Sequence, residues 1–174
     1  MSEKKIKVLK LLAFIISGIF VVIGLPFLAY LLSWYIDKHI GIQAFIQFPY
    51  NLIIGVIIIA IGMFFALWSN YTLFKKGKGT PVPTKATHTQ KVVTKGPYKY
   101  SRNPMVFGTI LYYLGLGVIL NSLFFTLVFT SIISVSLYIL VKLWEENNLE
   151  KRFGEEYLEY KKRTSMIIPF PSKN

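Results

Sequence analysis

The sequence GPYKYSRNPMVFG at residues 96–108 and the sequence EENNLEKRFGEEYLEY at residues 145–160 decide how the chain can fold. The residues between them are nearly all apolar and numerous enough for two helices, with one polar break at Asn121-Ser122. Two membrane-spanning helices joined by so short a turn return to the side where they began. The polar residues of both stretches are therefore predicted to meet at one face of a membrane.

Composition places the chain among multi-pass membrane proteins. Of the 174 residues 53% are hydrophobic, the mean hydropathy is +0.50, and the apolar runs are too long for a soluble core. The lack of cysteine excludes disulfides and thiolate metal sites, and only two histidines argue against a metal-dependent enzyme. The net charge of +12 comes from basic blocks beside the apolar runs, which argues against nucleic-acid binding.

The apolar runs predict an all-α integral-membrane fold, a single domain over residues 1–174. Four transmembrane helices are predicted, at about residues 8–35, 49–74, 104–120 and 123–143. A bend is expected at Gly24-Leu25-Pro26, because proline removes a backbone donor. Asn103-Pro104 predicts the start of the third helix, with Asn103 capping its first-turn amides. The third helix is short, about 25 Å, and forms a tight hairpin with the fourth.

The distribution of charge predicts the orientation of the chain. Residues 75–102 contain eight lysines and arginines and no acid, and the N-terminus is also basic. By the positive-inside rule the loop 75–103, the tail 144–174 and both termini are predicted to be cytosolic. Apolar residues recur in the tail at helical spacing, which predicts an amphipathic helix, or two short ones hinged at Gly154.

Three glycines on the third helix, Gly108, Gly115 and Gly117, clear part of its surface. Close packing against another helix is the favoured interpretation, and a slot for a lipid tail is the alternative.

Opposite charges predict a polar pocket between the basic loop and the acidic tail, because six of the eight acids lie in the tail. A helix N-terminus with Arg102 suits an anionic group, and a carboxylate suits an amine. A zwitterionic nucleoside-like cofactor fits such a lining, although structural ion pairs alone would also explain it. The predicted lining comprises Arg102, Glu145 or Glu146, Tyr98, Tyr100 and Tyr157.

At these residues the chain resembles the isoprenylcysteine carboxyl methyltransferase family and, more broadly, the related integral-membrane phospholipid methyltransferases. The resemblance rests on GPYKYSRNPMVFG, two apolar helices, a Glu-Glu pair and FGEEYLEYKKR, and it covers roughly Thr80 to Pro171. It implies transfer of a methyl group from S-adenosylmethionine to a lipid or lipid-modified acceptor at the cytosolic face. Neither a metal nor a nucleic acid is implied.

The resemblance also implies roles for individual residues. The acidic cofactor ligand falls on Glu146, and Lys142, four positions earlier, is associated with substrate and catalysis. Asn103 and Val106 stand where eukaryotic carboxyl methyltransferases have histidine and tyrosine, so the eukaryotic substrate is not implied. Further cofactor contacts fall on Gln90, Lys91, Val92, Val93, Tyr98, Arg102, Asn103, Pro104, Met105 and Val106, and Tyr157 is added from the predicted lining.

Several alternatives stay open at this point. A carboxylate acceptor would be oriented by Lys142, whereas an amine acceptor, as in a phosphatidylethanolamine N-methyltransferase, would lose a proton to Glu145 or Tyr98. A non-catalytic scaffold that binds lipid or a partner would need neither. Which of Glu145 and Glu146 faces the pocket is also open, because neighbours on a helix point about 100° apart.

Overall fold

The computed structural model describes residues 12, 16, 18–77, 89 and 91–171. Apart from a 3₁₀ turn and one isolated β-bridge, the regular structure of these residues is α- and π-helical, as predicted. By length and composition α1, α2 and α4 are able to cross a membrane, whereas α3 has only 16 residues. The helices are α1 (Phe20–Ile40), α2 (Tyr50–Gly77), α3 (Pro104–Ile119), α4 (Phe125–Phe153) and α5 (Glu155–Arg163).

Three helix ends lie beyond their predicted positions. α1 ends at Ile40 rather than residue 35, α2 at Gly77 rather than 74, and α4 at Phe153 rather than 143. The predictions ended each helix with its apolar run, but a helical backbone continues through polar residues until a residue such as Gly41 or Gly154 adopts a positive φ. The predicted start of the first helix, at residue 8, lies outside the described residues.

At the position of the predicted bend, α1 forms hydrogen bonds with α3. A π-helical turn precedes Pro26, and a proline leaves carbonyl groups of the preceding turn without their helical donor. The hydroxyl groups of Tyr113 and Tyr112 donate to the carbonyl oxygens of Val21 and Val22, at 2.7 and 2.8 Å. Two tyrosines therefore satisfy backbone groups that water cannot reach inside a membrane.

α2 and α3 pack antiparallel with their backbones in contact. A Cβ atom on Gly62 would lie 2.7 Å from the carbonyl oxygen of Gly108, and one on Gly55 would lie 2.8 Å from that of Gly115. Gly117 in turn faces Thr126 of α4. All three glycines of the third helix are therefore covered by protein, so the packing interpretation is confirmed and the lipid-tail slot is wrong.

Polar bonds also hold the end of α1 against the turn between α3 and α4. Asp37, buried in the last turn of α1, accepts hydrogen bonds from the Ser122 hydroxyl at 2.5 Å and the Phe124 amide at 3.1 Å. A buried apolar cluster of Ala29, Tyr113 and Phe125 joins the same three helices. Polar and apolar contacts therefore both join α1 to the hairpin at this end.

At the other end the tail folds back along the residues that precede α3. The amide groups of Arg102 and Asn103 donate to the carbonyl oxygens of Ser165 and Met166, at 2.8 and 3.1 Å. Gly154, with a φ of 51°, separates α4 from α5, so the predicted hinge is confirmed. The tail therefore lies beside the start of α3.

Candidate functional site

Arg102 joins the two sequence stretches at one point. Its Nε atom donates a hydrogen bond to Oε1 of Glu146 at 2.8 Å, across 44 residues of chain, and its Nη2 atom forms an ion pair with the same oxygen at 2.8 Å. Its Nη1 atom donates to the carbonyl oxygen of Lys161 at 2.9 Å and to that of Thr164. Every guanidinium nitrogen is therefore bonded, and Arg102 ties α4, α5 and the tail to the start of α3.

Glu146 is a buried carboxylate shared between two cations. Its side chain is only 4% exposed, and while Oε1 bonds to Arg102, Oε2 lies 3.0 Å from Nζ of Lys161. Lys161 also donates to Glu150, and this hydrogen bond raises the pKa of the lysine above its usual value. A charge removed from water needs such partners, because an unpaired buried carboxylate would cost several kcal/mol.

Glu145, which precedes Glu146 in the chain, differs from it in exposure and in bonding. Its side chain is exposed, and it forms no hydrogen bond or ion pair with any other residue that the structure describes. Its negative charge nevertheless acts on Tyr98, because burial first and the charge of Glu145 second raise the pKa of that tyrosine. Of the two adjacent acids, Glu146 is held by the protein and Glu145 is open to a ligand.

Three buried tyrosines surround the Arg102–Glu146 pair. Burial raises the pKa of Tyr98, Tyr157 and Tyr160, so all three stay protonated at neutral pH. Tyr98 shares a hydrogen bond with Ser69, and the Tyr160 hydroxyl donates to the Tyr98 carbonyl at 2.6 Å. The Tyr157 hydroxyl is buried, but no described residue is its hydrogen-bond partner. Such an orphan group calls for an explanation, and a ligand is one.

The start of α3 confirms one prediction and corrects another. The helix begins at Pro104, but the side chain of Asn103 does not cap it; it donates to the carbonyl oxygen of Met166 in the tail, at 3.1 Å. The amide groups of Met105 and Val106 consequently have no acceptor among the described residues. Uncapped amides at a helix N-terminus attract anions.

Lys142 is not drawn into this arrangement. Its side chain is exposed, with Nζ 5.5 Å from the centre of the Tyr138 ring, and no ion pair with Glu145 or Glu146 exists among the described residues. The segment from Val141 to Glu145 is π-helical, so the angle between Lys142 and Glu146 differs from that of a regular α-helix.

The remaining predicted residues lie before the 3₁₀ turn. Val93 is buried against Gly77 at the end of α2, Val92 is half-buried and Lys91 is exposed. Gln90 lies outside the described residues. Val93 therefore lies at the end of α2, and none of these described side chains forms a hydrogen bond or ion pair with Arg102 or Glu146.

Lys161 is the site residue that sequence reasoning missed. It belongs to a basic run at residues 161–163, and the spacing of charges in that run does not show which residue faces inward. Its position one turn after Tyr157, on the apolar side of an amphipathic helix, is the signal that was available.

A cavity of about 400 Å³ lies at the opposite end of α3 and does not belong to this site. Trp34, Asp37, Lys38 and Asn121 are among its lining residues. Asp37 is already bonded to Ser122 and to the backbone of α4. Within the described ranges, no cluster of three or more histidines or acids is arranged to hold a metal ion.

Fold and site together define an integral-membrane protein with a polar site where a helix start, a helix end and the tail meet. A family model described as phospholipid methyltransferase matches residues 50–156, more than half of the chain, and the protein belongs to this family. A search among curated proteins gives no match. The sequence resemblance is thereby confirmed at the level of the family. The protein is a membrane methyltransferase that acts on a lipid.

Proposed function

We propose that the protein is an S-adenosylmethionine-dependent methyltransferase with its cofactor between the start of α3 and the end of α4. One observation carries the proposal: Arg102 and Glu146, which come from separate stretches, form a buried ion pair across 44 residues. The family match covers all of the first stretch and residues 145–156 of the second, and it supports methyl transfer as the chemistry.

The groups around this pair fit such a cofactor. The uncapped amides of Met105 and Val106 suit its carboxylate, and the orphan Tyr157 hydroxyl suits a hydrogen bond to it. Glu146 suits its ammonium group. Arg102 is fully bonded within the protein, so its role is to position Glu146 and the tail rather than to bind the cofactor itself.

The acceptor is the second part of the proposal. Bound S-adenosylmethionine supplies an electrophilic methyl group, and the protein must hold the acceptor in line with it and exclude water. An amine acceptor first loses a proton, and Glu145 is an unpaired carboxylate able to receive it. Tyr98 is a poorer candidate than the sequence analysis assumed, because its raised pKa keeps it protonated.

These observations support a phospholipid amine as the acceptor, such as a phosphatidylethanolamine-type headgroup. A carboxylate acceptor, as in an isoprenylcysteine, needs a cation beside it, and Lys142 is directed to Tyr138 on the exposed surface of α4. The isoprenylcysteine-type acceptor stays the second candidate, supported by the sequence motifs.

We also propose that all four long apolar stretches span the bilayer as a single domain, with both termini cytosolic. The basic loop before α3 supports this orientation. At 16 residues α3 is shorter than the usual span of about 20, so the bilayer is expected to thin beside it or the helix to lie deep in protein.

Calorimetric titration of the detergent-solubilised protein with S-adenosylhomocysteine tests the cofactor site. Glu146→Gln is expected to weaken binding by about 2 to 5 kcal/mol, because it removes one charge of a buried pair. Glu159→Gln, an exposed position on α5, is the matched control and is expected to bind like the wild type. Equal losses in both variants, or no binding by a folded wild type, would overturn the cofactor site.

Transfer of radiolabelled methyl groups tests the acceptor. Glu145→Gln is expected to bind S-adenosylhomocysteine nearly as the wild type does, but to lose transfer to phosphatidylethanolamine by about 100-fold or more, as for loss of a general base. Transfer to a farnesylcysteine that survives this change, with none to phosphatidylethanolamine, would favour the carboxylate acceptor instead.

A further inference from the structure

We propose that Lys161 is an internal substitute for the cofactor's ammonium group, which it resembles chemically: its Nζ atom holds Oε2 of Glu146 until the cofactor's own ammonium replaces it. This inference rests on the proposed function and names the subsite for one part of the cofactor. It also gives Lys161 a positioning role in binding.

The two oxygens of the Glu146 carboxylate have different partners. Oε1 accepts a hydrogen bond from Nε of Arg102 and forms an ion pair with Nη2, each at 2.8 Å. Oε2 lies 3.0 Å from Nζ of Lys161. Because the Glu146 side chain is only 4% exposed, a ligand cation that is to form an ion pair with it has to take the place of one of these two partners.

Only Lys161 is suited to leave. Arg102 is 9% exposed, and its Nη1 atom is bonded to two backbone carbonyl groups, so its departure would undo the docking of the tail. The Lys161 side chain is 36% exposed and is already bonded to Glu150. Lys161 can give up Glu146 and keep a carboxylate partner.

The exchange conserves the chemistry at Glu146. Both the lysine side chain and the α-amino group of an amino-acid cofactor are primary ammonium groups with three donors. Either one provides a partner for Oε2, whereas its loss without replacement would leave that buried oxygen without a partner and Arg102 as the single cation on Glu146. Competition with Lys161 therefore lowers the affinity for the cofactor, and Glu150 lessens this effect by accepting the displaced lysine.

Two variants of the Lys161 contacts are expected to change affinity in opposite directions. Lys161→Met removes the competitor, so S-adenosylhomocysteine, which carries the same ammonium group, is expected to bind about 5-fold more tightly or better. Glu150→Gln removes the alternative partner, so binding is expected to weaken several-fold. Lys162→Met, the neighbouring exposed lysine, is the control and is expected to match the wild type. Thermal unfolding of each variant checks that the tail remains folded.

A second ligand separates exchange from a general loosening of the tail. 5′-Methylthioadenosine has no amino-acid portion, so its affinity is expected to be the same in Lys161→Met as in the wild type. An equal gain for both ligands, or unchanged or weaker binding of S-adenosylhomocysteine by Lys161→Met, would overturn the exchange while leaving the methyltransferase site intact. A wild type that binds neither ligand would overturn the proposed function and this inference together.

Discussion

At the scale of single residues, the buried hydroxyl of Tyr157 is the least satisfied group near the site. Its side chain is only 2% exposed, and its oxygen has no hydrogen-bond partner among the described residues. Burial and the charge of Glu146 raise its pKa, so it remains a neutral donor. A buried hydroxyl without a hydrogen-bond partner lowers the stability of the fold. A hydrogen bond from this hydroxyl to a ligand would explain why it is present.

Tyr157→Phe is therefore expected to have opposite effects on stability and binding. Removal of an unpaired buried hydroxyl should leave the free energy of unfolding unchanged or raise it by about 1 kcal/mol. The affinity for S-adenosylhomocysteine should fall about 5- to 10-fold, as for one lost hydrogen bond. Thermal unfolding and calorimetry measure the two effects. A less stable variant with normal affinity would assign Tyr157 a purely structural role.

At the scale of helices, the contact between α2 and α3 depends on glycines spaced seven residues apart on both helices. Gly55 and Gly62 meet Gly115 and Gly108, and their backbones approach too closely for any side chain. The repeat of seven returns the glycines to nearly the same face after two turns. This seam supports the short helix α3, whose first turn forms one wall of the site.

Gly62→Ala is expected to lower the free energy of unfolding by about 1 to 3 kcal/mol, because its Cβ would lie 2.7 Å from the carbonyl oxygen of Gly108 and both backbones would have to move. Gly18→Ala is the control, since a Cβ there meets nothing within 4 Å. Thermal unfolding in detergent measures both. Equal stability of the two variants would contradict a tight seam between α2 and α3.

At the scale of the whole molecule, the structure has a polar site at one end of α3 and, at the other, a turn that is hydrogen-bonded to α1. Arg102 and Glu146 mark the first end, and Asp37 with Ser122 marks the second. The two ends lie on opposite sides of the membrane if α3 spans it. The lack of cysteine makes this testable without prior mutation of native thiols.

Single cysteines at exposed positions are expected to label from opposite sides. Gln43 is exposed and lies near the turn between α3 and α4, so Gln43→Cys should react in intact cells with a maleimide that does not cross membranes. Lys99→Cys and Glu159→Cys lie at the site end and should react only after the cells are permeabilised. Labelling of Lys99→Cys and Glu159→Cys from different sides would contradict the hairpin. Labelling of both variants in intact cells would show that the orientation is the reverse of the one proposed, with the hairpin still supported.

The sequence by itself determined the helices, the family and the meeting of the two polar stretches. In lipid a long apolar run has to form a helix, because its backbone groups have no water to bond to. Pro104 predicts a helix start and Gly154 predicts a hinge, and the structure confirms both. The hairpin then brings Arg102 near Glu146 by topology alone. The end of α4 was missed, because helical hydrogen bonds continue where apolar character stops.

Only the tertiary structure decided how the polar groups are shared. The sequence shows that Arg102, Glu145, Glu146 and Lys161 are charged, but it does not show which of them pair with one another. In the structure Arg102, Glu146 and Lys161 bond to one another, whereas the carboxylate of Glu145 is exposed. The side-chain directions at the end of α4 and the path of the tail decide this difference. The same holds for Asn103, whose amide turns to the tail rather than to its own helix. Partners of this kind come from segments distant in the chain, so local spacing shows which face a residue such as Lys161 lies on but not which residue it bonds to.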